Sequence, residues 1–150
     1  MKMATVVLIA VSMVWAGFAF AAERGTPAEA EAMVKKAVAY IKANGKDKAF
    51  AEFNNPKGKF VDRDLYVFVN NLTGISLAHG GNAKIVGKNM IDMKDADNKS
   101  YVKERIDMIK AKGKGWQNYK FSNPVTHRIE DKTSYSELVD DYIVSCGAYK

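Results

Sequence analysis

Apolar runs and a polar turn are most sharply segregated over residues 64–79, where the chain reads DLYVFVNNLTGISLAH. Two β-prone runs, 65–69 and 75–79, flank the polar turn Asn70-Asn71-Leu72-Thr73-Gly74. Val, Ile, Tyr and Phe suit a pleated surface, and Asn and Gly supply the backbone angles of a tight reversal, so the pattern predicts a β-hairpin. The first strand is apolar on both faces, with Leu65, Val67 and Val69 on one and Tyr66 and Phe68 on the other. A strand of that kind lies inside a sheet with both sides covered.

Upstream, the period changes to that of a helix. Thr26-Pro27-Ala28-Glu29 combines a capping hydroxyl, a proline at the first helical position and a glutamate that reaches back. Met33, Val34, Ala37, Val38 and Ile41 recur at helical spacing before Asn44-Gly45 ends the element. A second short helix is predicted over 47–53, and Phe60-Val61 reads as an edge segment. Beyond the hairpin, Gly80-Gly81-Asn82 leads into an irregular segment over 85–90 and a charged turn over 92–99. A helix follows over 100–111, then strands over 116–121, 129–135 and 142–149, whose short connections imply antiparallel pairing.

The helix over 100–111 carries the most informative irregularity. Val102, Ile106 and Ile109 form an apolar stripe widened by Tyr101 and Met108, and Arg105 falls in the middle of it. A guanidinium on an apolar face must meet an anion, a carbonyl or water, because burying it alone is very costly. Two readings stand: Arg105 faces a binding pocket, or its stem lies along the core while its head reaches water or a structural carboxylate.

Composition removes several classes of function. Residues 1–22 combine the positive start Met1-Lys2, an apolar run and the small-residue end Ala19-Phe20-Ala21. That is the pattern of a cleaved secretory signal peptide, with an N-terminal membrane anchor as the alternative. The remaining 23–150 reads as one domain. The formal charge of +6 is spread over scattered lysines, with no basic stripe interleaved with aromatics, so no nucleic-acid partner is expected. The single Cys146 allows no internal disulfide and, in a β-prone run, reads as a small buried side chain. His79 and His127 belong to no ligand set, and Asp92, Asp95 and Asp97 lack the glycine and closing glutamate of a calcium loop. No metal, cofactor or catalytic motif is expected, and an enzyme is disfavoured because no nucleophile–base pair is visible.

Resemblance adds a family. Asp64-Leu65-Tyr66-Val67-Phe68-Val69, Leu72-Thr73-Gly74 and Leu77-Ala78-His79 resemble the central hairpin of single Cache domains. The likeness continues through Val86-Gly87-Lys88-Asn89, Asp92-Met93-Lys94-Asp95, Gly115-Trp116-Gln117-Asn118-Tyr119 and Asn123-Pro124. It ends with Lys132-Thr133-Ser134-Tyr135 and Cys146-Gly147-Ala148-Tyr149. One departure is His79-Gly80-Gly81-Asn82, where the family often has a His-Pro stretch. The resemblance implies an α+β, PAS-like fold: an antiparallel sheet with a long N-terminal helix behind it and a helix and loops across the ligand face. It implies an exported, periplasmic sensory domain that binds a small ligand, such as a short carboxylate. Carried onto this chain, the pocket would be lined by Tyr66, Phe68, His79, Arg105, Trp116, Tyr119, Lys132 and Tyr135. Arg105 and Lys132 would meet the carboxylate, Tyr119 and Tyr135 would donate hydrogen bonds, and Trp116 would form a wall. With the sequence closing at Lys150, the expectation is a free-standing domain that works through a membrane receptor or transporter. The rival expectation is a periplasmic accessory protein with a vestigial pocket that acts by docking.

Overall fold

A computed structural model describes residues 23–150, so the leader assigned to 1–22 lies outside the described residues. The order is α1 (Pro27–Asn44), α2 (Lys46–Phe53), β1 (Val61–Asp62), β2 (Leu65–Asn71), β3 (Ser76–His79), α3 (Tyr101–Lys112), β4 (Lys114–Ser122), β5 (Ile129–Val139) and β6 (Tyr142–Tyr149). All pairings are antiparallel, in the order β1-β2-β6-β5-β4 with β3 also on β2. The last strand to form in sequence therefore lies beside the first long one, and the doubly apolar β2 is interior to the sheet, as its pattern requires.

The N-terminal helix starts where its capping box places it. Thr26 Oγ1 accepts from the Glu29 amide at 3.2 Å, while the Glu29 carboxylate accepts from the Thr26 amide at 2.8 Å. Ala30, Val34, Ala37 and Ile41 are buried at helical spacing and pack on one face of the sheet. That face presents Leu65, Val67 and Val69 from β2, with Val144, Cys146 and Ala148 from β6. Cys146 is fully buried, and burial pushes its thiol up to about 12, which suits a structural side chain and not a nucleophile. β5 extends four residues beyond the expected end, through Ser136 and Glu137, whose polarity hides the strand.

The opposite face is roofed by α3 and by irregular chain. The roof is held by the turn in which Asp95 accepts from the amides of Asp97, Lys99 and Lys120 at 2.9 Å each. Asp95 is thus occupied as a loop organiser, and no cluster of three His, Cys, Asp or Glu occurs among the described residues. α3 ends on Gly113, whose φ of 74° is left-handed and whose amide donates to the Ile109 carbonyl at 2.8 Å. That sharp stop turns the chain directly into β4.

Candidate functional site

Strand parity decides which side chains face the roof. Alternate residues of β2 send Tyr66, Phe68 and Asn70 away from α1. Across the sheet, Phe68 lies opposite Ser145, Lys132 opposite Tyr149, and Tyr119 opposite Lys132. These residues form one continuous floor. His79 joins it from β3, opposite Phe68. Above the floor stand Tyr101, Val102 and Arg105 of α3, with Ile85 and Met90 from the irregular segment.

Arg105 settles the ambiguity of its helix face: it is 2% exposed and its head does not reach water. Nη1 donates one long hydrogen bond, 3.3 Å, to Asn70 Oδ1, while Nε and Nη2 are buried without a partner. The guanidinium carbon lies 4.9 Å from the Phe68 ring centre and 5.3 Å from that of Tyr119. The aromatic faces offer some compensation for desolvation. They do not supply the two missing acceptors.

Lys132 is a second buried cation on the same floor. Its Nζ donates to the Tyr66 hydroxyl at 2.8 Å and lies 4.0 Å from that ring's centre. The Tyr149 hydroxyl donates to the Ser122 carbonyl at 2.7 Å, so in the 3.0 Å contact between the two tyrosine hydroxyls it is Tyr66 that donates. Burial, with a smaller contribution from Arg105, pulls the Lys132 ammonium down to about 7. Burial first, then Lys132 and Arg105, pull His79 down to about 3, leaving a neutral imidazole. Its Nδ1 accepts from the Asn82 amide at 2.9 Å, which places the ring proton on Nε2. The floor is cationic, and among the described residues no carboxylate lines the cavity.

Gly147 makes room for Lys132. A Cβ there would stand 2.6 Å from Lys132 Cε and would collide with Ser134 Oγ. Gly147→Ala is therefore expected to cost about 1–3 kcal/mol in denaturant unfolding, the usual cost of overpacking. An unchanged midpoint would show that Lys132 is not held there.

The cavity bounded by these groups measures only about 20 Å³, enough for about one water molecule. Six of the eight residues expected at the pocket, Tyr66, Phe68, His79, Arg105, Tyr119 and Lys132, are on this side of the sheet, with Lys132 beneath the aromatic floor. Trp116 and Tyr135 are not. They pair with each other across β4 and β5, and Tyr135 pairs with Cys146 on the α1 face. Tyr135 packs into that core and donates to Glu137 at 2.8 Å, while Trp116 is 41% exposed beside it. Their placement in the pocket is corrected accordingly. Residues the sequence did not single out for the site include Asn70, Tyr101, Phe121 and Tyr149. Three of the four carried a signal: Asn70 continues the parity of Tyr66 and Phe68, Phe121 that of Tyr119, and Tyr101 lies one turn before Arg105.

Similarity to known proteins accords with this geometry. The family model described as single Cache domain 2 matches residues 2–150. The sensor histidine kinase MctS of Rhizobium johnstonii is 33% identical over 89 residues, which are 58% of this chain and 19% of the kinase. The chain thus spans about one fifth of that relative's length. A methyl-accepting chemotaxis protein from Vibrio parahaemolyticus superposes with a TM-score of 0.72 at 23% identity, over 81% of this chain and 86% of the other. A second structure, described as the basis for carboxylic acid recognition by a Cache chemosensory domain, gives a TM-score of 0.69 at 24% identity, over 81% and 91%. At these identities the two structures speak for the fold.

Proposed function

The chain belongs to the single Cache domain 2 family of sensory, ligand-binding domains, and from that membership we propose that its site takes a short organic acid. The observation that carries this reading is Arg105: a buried guanidinium with two unpartnered N–H edges beside a cavity without a carboxylate. A carboxylate would supply the missing acceptors in charge-assisted, bidentate form. Lys132 adds positive charge from below, Phe68 forms the wall, and His79 and Tyr119 offer hydrogen bonds to the rest of the ligand. Family members are typically periplasmic sensors, and no helix among the described residues is long and apolar enough to cross a membrane. The leader over 1–22 would export the domain, which would report ligand occupancy to a membrane receptor, kinase or transporter. The small cavity favours one rival, a domain with a closed pocket that acts by docking.

Thermal shift separates the two. A bound acid at 100 times its Kd stabilises by about 2.7 kcal/mol, and the matching primary amide or alcohol should give no shift. A panel of short acids without any shift, together with a stable captured partner, would favour docking.

A further inference from the structure

The cavity at Arg105 is smaller than any organic acid, yet it shares a wall with a much larger space. A cleft of about 260 Å³ opens between the chain that follows β3 and the turn that joins β4 to β5. Tyr66, His79 and Phe121 line both the inner cavity and this cleft, and Asn82, Ser122 and His127 form its outer side. The partition is thus three rings thick at most, with His79 centred 4.9 Å from Tyr66 and 6.0 Å from Phe121. The His79 ring makes one hydrogen bond, accepting at Nδ1 from the Asn82 amide of the cleft's own rim, while its backbone stays fixed on β3. Asn82, Pro124 and the exposed His127 give the outer chamber a mixed polar and apolar rim.

We propose that the cleft is the outer chamber of a two-part site, taking the polar far end of an acid whose carboxylate is held at Arg105. This rests on the carboxylate reading above and extends it to ligand class: acids with a second hydrogen-bonding group several atoms from the carboxylate. The inner chamber fixes the anion. The partition opens by displacement of the His79 ring, and the outer chamber supplies hydrogen-bonding partners to a hydroxyl, amide or carbonyl. Simple acids such as acetate displace the His79 ring to reach Arg105 and leave the outer chamber unused.

The chain's two histidines, one in the partition and one at the outer rim, make the test direct. In ¹⁵N imidazole NMR of the whole protein, acetate should shift His79 and leave His127 unmoved, whereas γ-hydroxybutyrate should shift both. Calorimetry should find γ-hydroxybutyrate about tenfold tighter than acetate, a gain that one or two net hydrogen bonds supply. His127→Leu removes the rim imidazole at an exposed position, and it should remove most of that advantage while changing acetate affinity less than about twofold. Binding of both acids with equal affinity and no His127 response would overturn the two-chamber site and leave the inner one standing. Failure of acetate and γ-hydroxybutyrate alike to bind would overturn the carboxylate reading with it.

Discussion

Arg105→Met is expected to make the unliganded protein more stable and to weaken its binding of organic acids sharply. The two effects share one cause. In the free protein the guanidinium is buried with a single 3.3 Å hydrogen bond, two unpartnered edges and no carboxylate side chain lining its cavity. Each unsatisfied buried donor costs about 1–3 kcal/mol, offset in part by cation–π contact worth about 1–2. Methionine keeps the length and apolar surface of the stem and removes the unsatisfied donors, at the cost of leaving Asn70 without its partner. Exchange of a poorly compensated buried charge for a hydrophobe of similar volume commonly stabilises by about 1–4 kcal/mol. A net gain of about 1–2 kcal/mol is expected here, measured as a rise in the denaturant midpoint with an unchanged slope. Acid binding should weaken by about 2–4 kcal/mol, the usual consequence of truncating one side of a desolvated charge pair. Unchanged affinity would remove Arg105 from the site. A less stable variant would show instead that its contacts with Phe68, Tyr101 and Tyr119 are structural support.

That opposition between stability and binding is also what the sequence could disclose. A helical period put Arg105 on an apolar stripe, and the physical oddity of a cation there pointed to the candidate site without any structure. The two faces of β2 were equally legible, since a period of two leaves Leu65, Val67 and Val69 no choice once one side is core. Family resemblance then supplied what periodicity lacks, a layering with the long helix behind the sheet and a helix and loops across its other face. The strand order came only with the structure. Trp116 and Tyr135 failed for a reason that is itself periodic. Each lies three residues from a genuine floor residue, Tyr119 and Lys132, and an odd separation on one strand means opposite faces. Aromatic character had outweighed parity. Ile85 and Met90 lie in irregular chain, where no period relates spacing to direction, and only tertiary packing places them over the floor. The cavity's small size is likewise a product of packing that composition does not encode.

Lys132 gives the site a proton linkage, and acid binding between neutral and mildly alkaline pH should take up close to one proton. In the free protein the ammonium is pulled down to about 7 by burial, with Arg105 adding to the effect and Cys146 and Asp64 opposing it. The neighbouring polar groups, the Tyr66 and Tyr149 hydroxyls, are themselves pushed upward by burial and stay protonated across this range. A carboxylate brought to the cationic floor favours the charged lysine, so the bound-state value rises toward the ordinary 10.5. Between about 7 and that raised value, affinity should fall as pH climbs, by up to about tenfold per pH unit. Unliganded stability should follow the opposite course. The unfolded chain holds the lysine proton up to about 10.5 while the folded one releases it near 7, so the unfolded state binds more protons and stability rises with pH over that window. His79 adds a lower window of the same sign, from about 3 to its ordinary 6.5. The ligand-induced shift in Tm should therefore be largest at about pH 6–7 and shrink steadily as pH climbs above about 7. Calorimetry in buffers of different ionisation enthalpy at about pH 8.5 reads the proton directly, and Lys132→Met should reduce the uptake to near zero. Uptake that persists in that variant would assign the linkage to another group, and its absence in the parent protein would place the anion beyond the reach of Lys132.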